Sequence, residues 1–171
     1  LGFCLDENAP EYVDARQVHG LREWVDGPAI IGEFGLQTLD QIIEQAKELS
    51  LDGVQLSPFA DEATRLGLKD WFVIQEVMVA KDTAFADLEN RLDEMAGQAG
   101  LFLLNLSASG IQWADLENDT PVSVSQLQDI CSRFPVLIGL SWKATELPDI
   151  LEKLSPEGIY VKGGEEEKVG Y

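Results

Sequence analysis

Between Pro28 and Ser57 the chain spells a strand, a capped helix and a second strand. Pro28-Ala-Ile-Ile-Gly-Glu-Phe34 is a short apolar run closed by Gly35. Thr38-Leu-Asp-Gln41 is a capping box, in which the Thr38 hydroxyl and the Gln41 amide satisfy each other's backbone N–H groups. Leu39, Ile42, Ile43, Ala46 and Leu49 then share one helical face. After Leu51-Asp-Gly53 comes the second run, Val54-Gln-Leu-Ser57. Two strands joined by a helix of this length are parallel, because a parallel pair needs a crossover.

The same cycle recurs along the chain. Leu1–Leu5 reads as a strand, and Asp14 caps a helix running to about Val25. Pro58 opens a short helical piece over Ala60–Leu66. Trp71–Val79 is a strand, and Thr83 or Asp82 caps a helix from Phe85 to about Ala99. Leu101–Leu106 is a strand, followed by a long polar loop over Ser107–Thr120. Ser123 caps a helix to Phe134, Pro135–Leu140 is a strand, and Pro148 sits in the first turn of another helix. Gly158–Val161 is the last strand. Seven near-continuous apolar strands alternating with about six helices imply a parallel sheet, either open and doubly wound or closed as a barrel. A complete eight-unit barrel usually takes about 200 residues or more. The 171 residues therefore predict a compact single-domain barrel short of one unit.

Composition narrows the function. The formal charge of -19, from 31 acidic and 12 basic residues, excludes the basic footprint that nucleic acid requires. It also disfavours anionic membranes, and no apolar stretch has the length of a membrane span. An anionic small molecule stays compatible, since a local site can oppose the global field. Cys4 and Cys131 lack the spacing of a disulfide framework or a zinc site and read as reduced thiols of a cytoplasmic protein. The single histidine, His19, sits inside a helix, so no multi-histidine metal site is expected, and no cofactor motif is present.

Leu1-Gly-Phe-Cys-Leu5 with Glu11-Tyr-Val13, Ile31-Gly-Glu-Phe34 and Leu51-Asp-Gly-Val-Gln-Leu56 resemble the second, third and fourth units of phosphoribosylanthranilate isomerase, a small barrel of tryptophan biosynthesis. Leu103-Leu-Asn105 and Ile159-Tyr-Val-Lys-Gly-Gly164 are similar to its sixth and eighth strands. The resemblance implies a (β/α)8 TIM barrel of the ribulose-phosphate-binding type, with seven strands present and the first βα unit and last helix lacking. It also implies that the functional positions have changed. The family's general base is a cysteine in a Lys-Ile-Cys-Gly motif on its first strand, whereas Cys4 matches a second-strand position. Asn105 stands where the family has its general acid, and an amide has no proton of suitable acidity to donate. Glu11 replaces the arginine that holds the anionic substrate, and Ser57 replaces a usual histidine. Ser141-Trp-Lys143 replaces a Gly-Gly pair.

The remaining candidates lie at strand ends, where sites of this fold sit. Lys162, Gly163 and Gly164 fit either a tight turn or a phosphate nest, although Glu165–Glu167 would repel a dianion. Glu33 and Glu76 fit either rim carboxylates or an acid–base pair. Trp113 and Trp142 fit either exposed stacking platforms or core anchors. The resulting expectation is a divergent isomerase-like barrel without the family's acid–base catalysis, binding a small metabolite or acting as an interaction module. The alternative is an active isomerase whose cysteine lies on a missing N-terminal segment. Open edges at Leu1 and Gly158 predict completion of the barrel by such a segment or by self-association.

Overall fold

The computed structural model describes residues 1–163. Seven parallel strands form one curled sheet in sequential order: β1 Gly2–Cys4, β2 Ile31–Phe34, β3 Gly53–Leu56, β4 Val73–Met78, β5 Leu101–Asn105, β6 Val136–Gly139 and β7 Gly158–Ile159. A doubly wound sheet would reverse strand order at its centre. Here each strand pairs with the next in sequence, which is barrel topology. Among the described residues β1 and β7 are each paired on one side only.

The helices are α1 Ala15–Trp24, α2 Leu39–Glu48, α3 Glu62–Gly67, α4 Phe85–Met95, α5 Trp113–Glu117, α6 Val124–Arg133 and α7 Leu147–Leu154. Capping boxes start α1 at Asp14, α2 at Thr38 and α6 at Ser123, as their sequences predict. The fourth helix departs from expectation. Its N-cap is Ala84, without a side-chain cap, because the Thr83 hydroxyl instead accepts from the Ala80 N–H at 2.8 Å. It ends at Met95 rather than Ala99, and Gly97 follows with φ +77°, a left-handed conformation that suits glycine.

The segment 107–120 also differs from the predicted loop. It holds a 3-10 turn at Ser107–Ser109 and then α5, with Ile111, Trp113 and Leu116 buried. It covers the end of the core over β5 and β6 rather than standing open.

Strand alternation sorts the two faces. On β2, β3, β4 and β5 the residues Phe34, Val54, Leu56, Val73, Val77, Phe102 and Leu104 face the helices. One cluster underlies β1–β4 with Val18, Ile42 and Ala46, and a larger one underlies β4–β7 with Leu88, Leu127 and Ile150. Each Val, Leu, Ile or Phe side chain among these contributes about 1.5–3 kcal/mol on full burial. The alternate residues, Cys4, Glu33, Gln55, Glu76, Leu103, Asn105, Leu137 and Tyr160, lie on the opposite, concave face.

Candidate functional site

The concave face is unusually polar for the interior of a barrel. β1, β2 and β3 set Cys4, Glu33 and Gln55 side by side in register. β4 contributes Glu76, opposite Leu103 of β5, and Asn105 follows two residues after Leu103. Tyr160 continues β7, its N–H donating to the Ile138 carbonyl at 2.9 Å.

Asn105 has a fully assigned amide. Its Nδ2 donates to Glu76 Oε1 at 2.7 Å. Its Oδ1 accepts from the Ser107 hydroxyl at 2.9 Å and from the Ala108 N–H at 3.0 Å. The side chain therefore ties β4 to the turn that follows β5. Glu33 leans against β1, where a Cβ at Gly2 would collide with its carboxyl. Burial raises the Glu33 pKa above the ordinary carboxylate value, and the Glu76 charge adds to the rise. Burial also pushes the Tyr160 phenol up to about 12, with Glu33 and Glu76 contributing further. The charge of Glu76 thus acts on both Glu33 and Tyr160.

The groups expected to hold an anion are already engaged. Lys162 Nζ donates to Glu11 Oε1 at 2.6 Å. This pair joins the loop after β1 to the chain after β7, across the interval where no strand pairs the two edges. The Lys143 N–H in the loop after β6 donates to Glu146 Oε2 at 2.7 Å. Ser141 is exposed and its backbone bridges to Gln112. A cavity of about 210 Å³ adjoins this loop, lined by Gln112, Ser141, Trp142, Lys143 and Glu146. Gly163 is exposed, and Gly164 with Glu165–Glu167 lies outside the described residues.

The structure thus joins Glu76 to Asn105 by a hydrogen bond, sets Glu33 on the same face where the charges of Glu76, Lys162 and Glu11 all act on it, and leaves Ser57 and Ser141 in the rim. Ser57 is held in the rim, its hydroxyl donating to the Gly35 carbonyl at 2.8 Å and its own carbonyl accepting from Gln75 Nε2 at 2.9 Å. Trp113 is not an exposed platform: it is 3 % exposed, and its indole N–H donates to Asp149 at 3.2 Å. Trp142 is half-buried against the same core cluster. Sequence reasoning missed Gln55 and Tyr160. The signal was present, since each is a polar side chain flanked by apolar neighbours in a strand whose other residues face the helices.

Among the described residues no helix is long and apolar enough to cross a membrane, and no group of three or more His, Cys, Asp or Glu is placed to hold a metal ion.

A sequential parallel sheet, helices on one face and a polar concave face on the other define a TIM-barrel-type fold. Solved structures share it. Phosphoribosylanthranilate isomerase from Thermotoga maritima superposes with a TM-score of 0.73 at 16% identity, over 92% of this chain and 74% of that one. A phosphoribosylanthranilate isomerase in complex with reduced 1-(o-carboxyphenylamino)-1-deoxyribulose 5-phosphate gives 0.70 at 19% identity, over 99% and 78%. Thiamine phosphate pyrophosphorylase from Pyrococcus furiosus gives 0.56 at 15% identity, over 94% and 70%. In sequence, no family model and no curated protein matches. The chain therefore has the fold of the phosphoribosylanthranilate isomerases, as its sequence resemblance implied, and that fold carries more than one activity among these neighbours.

Proposed function

We propose that this protein is a phosphoribosylanthranilate isomerase-like barrel that has lost the acid–base chemistry of that family and binds a small metabolite on its concave face. The observation that carries this reading is the bonding of Asn105. The residue at the family's general-acid position is an amide whose Nδ2 and Oδ1 are both committed to Glu76, Ser107 and Ala108. It positions a neighbour and has no proton to transfer. The Glu11–Lys162 and Glu146–Lys143 contacts support it, because each sets a carboxylate of the chain where the family would meet an anionic substrate. The ligand in complex with that phosphoribosylanthranilate isomerase bears a carboxyl and a phosphate, both anionic.

A specific observation favours one competing reading. Burial and the Glu76 charge raise the pKa of Glu33, which favours its protonated form, so Glu33 could replace the missing acid in an active isomerase. Complementation of a tryptophan auxotroph separates the two. The proposal predicts no growth from either the wild-type or the Glu33→Gln gene. Growth supported by the wild type and abolished by Glu33→Gln would establish the active isomerase instead.

A further inference from the structure

We propose that the underside of the curled sheet carries a second site, which binds a small organic monocarboxylate. The site is a cavity of about 270 Å³ formed where three passages of chain meet: the end of α3 with the turn after it, the start of β4, and the turn between α4 and β5. All three lie where helices hand over to strands. Glu76 and Asn105, by contrast, stand in the later halves of β4 and β5, toward the other end of the sheet.

Charge is the first observation. The chain holds 31 acidic against 12 basic residues, yet this cavity is lined by two cations, Arg65 and Lys69, and by no carboxylate. Neither cation forms an ion pair among the described residues. Lys69 is exposed, whereas Arg65 is half-buried and fixed in place. Its Nε donates to Gln98 Oε1 at 2.9 Å and its Nη1 to the Ala60 carbonyl at 2.7 Å. Both acceptors are neutral, so the guanidinium is positioned with its charge uncompensated and its Nη2 without a partner. Glu62 accepts from Gln98 Nε2 at 3.4 Å without lining the cavity.

The second observation is the hydrogen bonding of the α4–β5 turn. It passes through Gly97 at φ +77°. The N–H groups of Gln98 and Gly100 donate to the Met95 and Val73 carbonyls, but those of Gly97 and Ala99 donate to no acceptor among the described residues. Free main-chain N–H groups in such a turn favour an anion. The residues around the cavity thus offer donors in excess: a guanidinium NH2, an ammonium and two main-chain N–H groups. A carboxylate, which only accepts, complements them through charge-assisted bonds. The other walls set the body of the ligand. Leu68 and Val73 are buried, Trp71 is half-buried and Leu66 is exposed. These apolar surfaces suit a hydrocarbon chain, which inorganic phosphate lacks.

Hexanoate, hexylamine and inorganic phosphate, titrated separately by calorimetry into the full chain at neutral pH, provide the test. Hexanoate and hexylamine share one hydrocarbon chain and carry opposite charges. Hexanoate should bind saturably at one site, with no binding of hexylamine or phosphate. Arg65→Gln should weaken hexanoate about tenfold or more. Because Arg65 also ties the Ala60 and Gln98 turns together, Lys69→Glu is the second variant. Lys69 is exposed and unpaired, and reversing its charge should likewise weaken hexanoate about tenfold or more. Exposed Lys47→Glu on α2 makes the same change of net charge elsewhere and should leave the affinity unchanged. Melting curves establish that each variant is folded before titration. The wild-type titration is decisive whatever the variants do: absence of saturable hexanoate binding, or binding of hexylamine or phosphate, overturns the inference. Equal weakening by Lys47→Glu does so too. Asn105→Ala should leave hexanoate binding intact. Loss of binding in that variant would move the ligand to the concave face, overturning this inference while leaving the proposed function standing.

Discussion

At the scale of single residues, Glu33 and Asn105 make opposite demands on the fold. Glu33 has a folded-state pKa above its unfolded value, caused first by burial and then by Glu76. Between those two values the native state binds more protons than the unfolded chain, so this residue makes stability fall as pH rises through that window. Glu33→Gln should therefore remove this contribution and flatten the decline of the melting temperature as pH rises above the ordinary carboxylate pKa. Melts of both proteins across that range check the sign, and an unchanged slope would refute it. Asn105 instead satisfies its neighbours. Asn105→Asp would restore the residue type of the family's acid but would set a carboxylate where an amide now donates at 2.7 Å to Glu76. Loss of that bond should cost about 1–3 kcal/mol and add charge repulsion, seen as a lowered urea midpoint, with no gain of isomerase turnover.

At the scale of elements, the chain's helix starts were readable because capping has a local grammar. Thr38 and Gln41, Ser123 and Gln126, and Asp14 and Gln17 all form the reciprocal bonds that their spacing implies. Thr38→Ala should cost about 1 kcal/mol, measurable by urea denaturation, since the Gln41 N–H would lose its hydroxyl partner. The start of α4 was not readable in this way. Thr83 has the chemistry of a cap but spends its hydroxyl one turn earlier, on Ala80. Nor was α5 readable, because its five residues carry a single helical spacing, Trp113 to Leu116, too short a run to show a period. Ile111, Trp113 and Leu116 are buried by a short helix that exists to cover the core. The strands were legible as apolar runs, though all but β3 were predicted a residue or more too long, and β3 was placed one residue late. Continuous hydrophobicity marks burial and does not mark where pairing stops.

At the scale of the whole molecule, the barrel topology followed from the repeat of strand and helix, while the site did not follow from the strand ends alone. Sequence offered Glu33 and Glu76 as a possible pair and singled out Asn105 separately. Their convergence depends on the curl of the sheet, which places β2, β4 and the turn after β5 around one concave surface. Gln55 and Tyr160 emerged only once alternation had fixed which face each strand residue occupies. The same curl leaves β1 and β7 with one unpaired side each among the described residues. Near these edges Leu1, Leu21, Trp24 and Val161 are exposed, Trp24 at 88 %. Unpaired parallel edges flanked by apolar side chains favour association. The 171-residue chain is accordingly predicted to self-associate, with light scattering giving a mass above the monomer's 18.9 kDa that rises with concentration. A constant monomer mass at all concentrations would contradict this.

We propose that an isomerase scaffold here lacks isomerase chemistry, and incubating the purified chain with phosphoribosylanthranilate while following product formation decides the matter. The expected rate is indistinguishable from the uncatalysed background and unaffected by Asn105→Ala. Turnover at the rates ordinary for phosphoribosylanthranilate isomerases would contradict it.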